Sequence, residues 1–329
     1  MQRSNMMDIK QFYDEWNNGG DWMEVQTSGS TGVPKKMMVK KKHMLASARR
    51  TNDFFGLRRG DRALLCMSLD YIAGKMMAVR AVERGLQLDI VNPCGNPLAD
   101  TNGDYDFVAM VPVQVWNTLR DETSRKRLDD VANLLIGGGA ISSELEEDLS
   151  SCKCLALSSY GMTETLSHIA LRRIGGGQWY APLTNVSLSL AGDGCLTVSD
   201  DATGVSGLKT NDIAEFATDG RKFRILGRKD NVICSGGVKI QAEEVERIIA
   251  RHFSAPFLIT KRGDEKFGEV VVMVIEGRDE SIADKARHAC ETVLPKYWKP
   301  RHFIVVSELP RTETMKVKRE CPSKLSTLT

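Results

Sequence analysis

A chain of 329 residues has room for about two domains, and its 42% apolar and 27% charged residues are those of an ordinary soluble globular protein. Lys plus Arg number 45 against 43 for Asp plus Glu, a formal net charge of +2, so no global field points to nucleic acid or to a membrane surface. The eight cysteines are scattered and lack paired C-x-x-C spacing, which argues against a structural zinc site and for free thiols in a reducing cytosol.

In chain order, residues 1–20 are polar and carry acids, unlike a signal peptide, and nowhere do about 18 apolar residues run together to span a bilayer. The expectation is a cytosolic protein. Leu45, Ala48, Asn52 and Phe55 share one face of a helix over 43–55 that stops at Gly56. A buried strand over 62–69, a helix over 73–83 stopped by Gly85, and strands over 86–91 and 105–111 follow. The charged stretch 117–130 reads as a third helix leading into a strand over 132–136, and Ser143-x-x-Glu146 reads as a capping box opening a helix over 144–150. Cys152-Lys153-Cys154, too closely spaced to chelate a metal, lies in an apolar, strand-like run. Strands alternating with helices predict a parallel sheet with crossover helices.

After Gly175, short segments such as 186–190 and 195–198, separated by Gly and Asp, predict an antiparallel β region. Beyond Asp230 a helix over 241–252, strands over 257–260 and 269–275, a helix over 282–293 and a strand over 302–306 predict a compact α+β unit. The division is therefore an amino-terminal domain over 1–229 and a carboxy-terminal domain over 230–329.

The segment Thr27-Ser28-Gly29-Ser30-Thr31-Gly32-Val33-Pro34-Lys35 is the first with chemistry to offer. Glycines free the backbone to turn N–H groups toward an anion, hydroxyls add donors, and Lys35 adds a charge, as a polyphosphate cradle requires. By composition alone a Ser/Gly run is more often a flexible loop, and the Walker A spacing is absent. Four further segments complete an ordered set: Ser158-Ser-Tyr-Gly-Met-Thr-Glu-Thr165, Lys209-Thr-Asn-Asp-Ile213, Gly227-Arg-Lys-Asp-Asn-Val-Ile-Cys-Ser-Gly-Gly-Val-Lys-Ile-Gln-Ala-Glu-Glu-Val-Glu246, and Leu309-Pro-Arg-Thr-Glu-Thr-Met-Lys-Val-Lys-Arg319. Together they resemble the signatures of the adenylate-forming superfamily of acyl-CoA synthetases and AMP-binding enzymes, with Asn211 and Met315 standing where that family usually has Gly. The resemblance implies an α/β fold: a large amino-terminal domain of α/β sheet layers plus a β region, and a small mobile carboxy-terminal α+β domain. It also implies an ATP-dependent, AMP-forming acid–CoA ligase that uses Mg²⁺ and takes CoA as co-substrate.

Carried over residue by residue, the resemblance assigns Thr27, Ser28, Gly29, Ser30, Thr31, Gly32 and Lys35 to the ATP phosphates, with Thr31 also at the metal. It places Gly138, Gly139 and Ala140 (in the run that begins at Gly137), with Ser159, Tyr160, Gly161 and Met162, around the nucleotide. Thr163 falls to the α-phosphate, and Glu164 to Mg²⁺ through a hard carboxylate oxygen. Asp212 falls to the ribose hydroxyls with Arg228 nearby, Asp230 to the hinge, and Ser235, Gly236 and Gly237 to the loop at the incoming thiol. Lys316 is the implied catalytic lysine. Alone, several of these have plainer readings: a core tyrosine, a strand-to-helix turn, a hairpin turn, a basic tail.

Within the superfamily, Tyr71-Ile-Ala-Gly-Lys-Met-Met77, the glycine-rich strand end, Met162-Thr-Glu-Thr-Leu-Ser-His-Ile-Ala-Leu-Arg172 and Thr210-Asn-Asp212 look like the compact o-succinylbenzoate–CoA ligases of menaquinone biosynthesis. That acid carries two carboxylates, one to be activated and one to be held. The candidates to hold it are Arg80, Ser167 and Lys75, with Tyr71 beside them, and His168 either lines the pocket or fills core. Typical members carry a much longer segment before the phosphate loop than the 26 residues here, so most of the usual amino-terminal subdomain is expected to be missing, and a homodimer is one way to complete the acyl pocket. Other readings are another acyl-CoA ligase, an adenylation enzyme loading a carrier-protein thiol, and a non-catalytic nucleotide-binding protein.

Overall fold

The structure is a computed structural model, and it describes residues 7–26, 35–102, 104–311, 317–319 and 321–322. Backbone packing divides the chain into two compact units: Met1–Ser189 with Thr197–Leu208 and Phe216–Phe223, and Leu190–Leu196 with Lys209–Glu215 and Arg224–Thr329.

In chain order the first unit opens with α1 (Ile9–Trp16), then β1 (Trp22–Gln26), β2 (Lys36–Lys40), α2 (Lys41–Phe54), β3 (Arg62–Leu65), α3 (Ile72–Arg84) and β4 (Gln87–Ile90). It continues with β5 (Phe107–Met110), α4 (Pro112–Arg120), α5 (Glu122–Asp129), β6 (Asn133–Ile136), α6 (Ser143–Ser150), β7 (Leu155–Gly161), β8 (His168–Arg173) and β9 (Ala181–Pro182). β1 and β2 form an antiparallel pair, with Met23 and Val25 opposite Val39 and Met37. The seven-stranded sheet runs β4-β3-β5-β6-β7-β8-β9. Its first five strands are parallel, as the alternating pattern predicts, whereas β8 and β9 are antiparallel additions.

The period of two along these strands sorts the core onto two faces. Ala63, Leu65, Phe107, Ala109, Leu135 and Leu157 pack with Phe12, Met44, Ala48, Met76, Met77 and Val79 from α1–α3. Leu64, Val108, Met110, Leu134, Ile136 and Ala156 pack with Val115, Leu119, Leu128, Leu145 and Leu149 from α4–α6. The sheet is thus the middle of three layers. α3 ends as expected at Gly85, whose φ of 69° turns its N–H back to the Ala81 carbonyl.

Two local expectations are corrected. The single helix over 117–130 is two helices, because Pro112 starts α4 early and Asp121 leaves helical geometry to cap α5 by accepting from the Ser124 N–H. The cap of α6 is Ser142, not Ser143: its extended backbone lets its hydroxyl accept from the Leu145 N–H.

A four-stranded sheet follows, β10 (Val186–Leu190), β11 (Cys195–Asp200), β12 (Val205–Phe216) and β13 (Phe223–Arg228), in that spatial order, and its residues are shared between the units. Within the first unit, Arg50 on α2 meets Asp200 on β11 in a bidentate pair, both contacts at 2.9 Å, with the Asp200 side chain fully buried.

The second unit adds β14 (Val232–Ser235), β15 (Val238–Gln241), α7 (Ala242–Ile249), β16 (Phe257–Asp264), β17 (Gly268–Glu276), α8 (Ser281–Val293) and β18 (His302–Val306). β17 is central: antiparallel to β14 and β16 and parallel to β18. Ile233, Ile240, Val245, Ile249, Val271, Met273 and Ile275 form its core under α7 and α8. Arg319 is fastened to Glu246 (2.9 Å) on α7 and to the Ile259 carbonyl on β16. All eight cysteines are free, and no described helix is long and apolar enough to cross a membrane.

Candidate active site

The glycine run follows the carboxyl end of β6, beside the end of β7, where open α/β sheets bind ligands. Gly138 has φ +82°, and Gly138, Gly139 and Ala140 are exposed, so the strand ends in bare, accessible backbone. The Ser159 hydroxyl ties this end to β7 by donating to the Ile136 carbonyl at 3.0 Å. A Cβ on Gly137 would lie 2.7 Å from that same hydroxyl oxygen.

Between Tyr160 and Gly161 the β7–β8 register shifts. Gly161 is required here, since a Cβ would sit 2.3 Å from the Ser167 carbonyl oxygen. The half-buried Tyr160 ring meets Phe223 edge-on at 5.4 Å and Tyr180 at 6.0 Å, which fixes its plane. Met162 then leads into a single 3₁₀ turn, Thr163–Thr165, in which Thr163 is buried and Glu164 exposed. The Glu164 carboxylate makes no ion pair among the described residues, and no group of three or more metal-ligating side chains gathers among them. One open carboxylate suits Mg²⁺, which keeps its waters and binds through one or two carboxylates plus phosphate oxygens.

Leu166 departs from ordinary backbone geometry. Its φ of 64° and ψ of −38°, with the Ser167 N–H donating to the Thr165 carbonyl at 2.8 Å, make a tight three-residue turn that costs a branched residue strain. Thr165 holds it: its hydroxyl oxygen accepts from the Met162 N–H at 3.0 Å and its O–H faces the Ser167 carbonyl at 2.8 Å. The turn delivers Ser167 to Arg80. Nothing in the identity of a leucine announces this conformation in the sequence.

Arg80, on α3, is 3% exposed. Its Nη2 donates to the Ser167 hydroxyl oxygen at 2.6 Å and its guanidinium lies 5.9 Å from the Phe107 ring, while its Nε is buried without a partner. No carboxylate pairs with it among the described residues. Burial alone pulls its pKa down to about 10. Ser167 in turn meets His168 Nδ1 at 3.2 Å, and His168 Nε2 meets the Thr51 hydroxyl at 3.3 Å. Burial, then the charges of Arg80 and Arg50, push the His168 pKa well below its usual range, so the imidazole is neutral.

The other acid-site candidates part company here. Lys75 is 4% exposed, but its ammonium donates to the Glu24 carbonyl on β1 at 2.6 Å and lies 3.5 Å from Glu15 on α1. Tyr71 is the amino-terminal flank of α3, and Gly74 lets that helix lie against the Ser68 carbonyl, which a Cβ would approach to 2.2 Å.

In the second unit, Arg228 reaches both Asp212 and Asp230 at 3.5 Å, and Asn211 donates to Asp230 at 3.1 Å. Sequence reasoning missed Asp193, which takes Lys229 at 2.8 Å and Lys209 at 2.9 Å and whose carboxyl those lysines hold well below the usual range. It thereby fastens the segments that flank Asp212 and Asp230. Ser235 pairs with Val238 across a two-residue turn, with φ +56° at Gly236 and +84° at Gly237, a conformation that suits glycine. Lys35 stands exposed immediately before β2. Thr27, Ser28, Gly29, Ser30, Thr31, Gly32 and Lys316 lie outside the described residues.

The family model of the AMP-binding enzymes matches residues 25–204. The 2-succinylbenzoate–CoA ligase of Escherichia coli strain K12 is 29% identical over 276 residues, 78% of this chain and 58% of that enzyme, so the chain spans under two thirds of that relative's length. The 2-succinylbenzoate–CoA ligase of Listeria monocytogenes is 25% identical over 89% of this chain and 68% of its own length. Among solved structures, an acyl-CoA synthetase (AMP-forming)/AMP-acid ligase II-like protein from Dyadobacter fermentans is 33% identical, covers 97% of this chain and 94% of its own, and superposes with a TM-score of 0.65. The Bacillus subtilis o-succinylbenzoate coenzyme A synthetase, solved with ATP and magnesium, shares the fold at 22% identity and a TM-score of 0.75. The matched region takes in the strand-end glycines, the β7 turn and the Arg80–Ser167–His168 chain alike, and the chain belongs to the AMP-binding enzyme family.

Proposed function

We propose that the protein is an ATP-dependent, AMP-forming acid–CoA ligase whose acid carries a second carboxylate, with o-succinylbenzoate as its substrate. The observation that carries the acid is Arg80: a buried guanidinium with one hydroxyl partner and an open Nε is incomplete until an anion meets it. The curated relatives named as 2-succinylbenzoate–CoA ligases support the same acid. In this reading the exposed backbone of Gly138–Ala140 and the Tyr160 ring take the adenine, Thr163 the α-phosphate, and Asp212 with Arg228 the ribose. Glu164, with Thr31, would hold Mg²⁺, which when bound would screen charge on the phosphates. Asp230 is the hinge between domains 1–229 and 230–329, and Ser235–Gly237 lie at the thiol. The substrates are small molecules, the location is the cytosol, and a homodimer walls the acyl pocket.

The test is product analysis. With o-succinylbenzoate, ATP and Mg²⁺ the protein is expected to release pyrophosphate and hold the acyl-adenylate, and with CoA to release the thioester and AMP; ADP and phosphate as products would contradict adenylation. Lys316→Ala is expected to slow adenylation by about 10²-fold, because an ammonium placed where acyl oxygen, α-phosphate and pyrophosphate meet stabilises the transition state. Conversion of a synthetic acyl-adenylate and CoA to thioester should stay near the parental rate.

A further inference from the structure

The hydrogen bonds around His168 form one chain, and the direction of the Thr51 hydroxyl sets the order of its protons. The Thr51 hydroxyl donates to the Ser47 carbonyl at 3.0 Å, so toward His168 Nε2 its oxygen can only accept, and Nε2 must carry the ring proton. A neutral ring protonated at Nε2 has a bare Nδ1, which accepts from the Ser167 O–H at 3.2 Å. The Ser167 oxygen is then left to accept from Arg80 Nη2 at 2.6 Å. Every proton in the chain Arg80, Ser167, His168, Thr51, Ser47 runs in one direction.

We propose that His168, as the Nε2–H tautomer, is a positioning residue that turns the Ser167 hydroxyl into a pure acceptor and so fixes the Arg80 guanidinium for a carboxylate. This rests on the reading of Arg80 as the anion holder. With the Ser167 proton engaged by His168, the site offers an incoming group only the N–H donors of Arg80. Such a site selects an anionic carboxylate over its ester or amide, because a charged acceptor gains most from a charged donor. The charges that act on the ring are those of Arg80 and Arg50; Asp200 is paired to Arg50, and Glu83 on α3 accepts from Asn52 and pairs with Arg49 and Arg84. The cation nearest along the chain is thus the unpaired one. Protonating His168 would put a second uncompensated charge beside it.

The test begins on the ligand-free protein, labelled with ¹⁵N-histidine, the His168 signals being those absent from His168→Gln. The proposal expects a protonated Nε2 and a bare Nδ1 unchanged from about pH 8 to about pH 5, whereas a free imidazole titrates near 6.5. An Nδ1–H tautomer, or titration in that range, overturns it. In turnover of o-succinylbenzoate, His168→Phe should raise KM about fivefold with kcat little changed, the size of one lost neutral hydrogen bond. His168→Gln, whose amide can both accept and donate, should recover most of that loss. Equal losses of kcat in both variants with KM unchanged would also overturn it. If the wild-type protein does not use o-succinylbenzoate, the acid assignment fails while the tautomer measurement still decides the role of His168.

Discussion

Arg80→Met is expected to lower kcat/KM for o-succinylbenzoate by on the order of 30- to 1000-fold, equivalent to about 2–4 kcal/mol, the range for a charge-assisted contact in a dry pocket. The fall should lie mainly in KM, with ATP binding intact, because the held carboxylate is the one that does not react. The ligand-free variant should be no less stable than the parent, and this second outcome separates the site from a structural role. The guanidinium is 3% exposed, burial has already drawn its pKa down to about 10, and Ser167 is its hydrogen-bonded side-chain partner. Replacing an uncompensated buried charge by an apolar chain of similar length is neutral or stabilising. Steady-state kinetics and a thermal melt on the same preparation decide it. A large loss of stability with unchanged kcat/KM would remove Arg80 from the site.

The layers of the first unit were legible because their causes are local. Glycine at the end of α3 and the unbroken apolar runs of β5 and β6 speak through residue type. The split of the 117–130 helix was written in Pro112 and Asp121, but the charged run that continues from Arg120 through Asp121 to Asp130 reads as unbroken helix, and that reading outweighed the cap. α1, β1 and β2 were passed over. Ile9, Phe12, Tyr13 and Trp16 do carry helical spacing behind the Asp8 cap, but over two turns only, and β1 and β2 are each five residues long.

At the candidate site, Arg80 and Ser167 were named by the family resemblance, and their 2.6 Å contact joins residues 87 apart in sequence. What could not be named was the geometry between them. The left-handed Leu166 turn is imposed by Thr165 and by the β7–β8 register shift, neither of which residue type reveals. Asp193 was missed for a similar reason. An aspartate in a Gly-Asp-Gly turn reads as turn chemistry, and its lysine partners come from a strand (Lys209) and a turn (Lys229) that the fold brings to it. The direction of the His168 proton depends on a backbone carbonyl one helical turn before Thr51, which only the assembled structure supplies.

A sharp contrast lies between the side chains of Arg80 and Arg50, both largely withdrawn from water. Arg50 has what Arg80 lacks: Asp200, fully buried and bidentate at 2.9 Å on both oxygens. Asp200→Ala is therefore expected to destabilise the first unit by about 3–5 kcal/mol, because it strands a guanidinium away from water and from any counter-charge. The remaining acceptor, the Thr184 carbonyl at 3.3 Å, cannot neutralise it. Asp200→Leu combined with Arg50→Met should recover most of that loss, since apolar replacement of a whole buried pair is often neutral while removal of one partner is not. The four proteins of the cycle built on Asp200→Leu and Arg50→Met, with Asp200→Ala beside them, followed by denaturant unfolding of the ligand-free chain, give the coupling directly. A loss below about 1 kcal/mol for Asp200→Ala, the scale of exposed pairs, would mean that water reaches Arg50. If the loss is large at Asp200 and absent in Arg80→Met, the two sites separate as their surroundings require. One arginine then completes the fold with a carboxylate of its own, and the other keeps its charge for a carboxylate that arrives with the substrate.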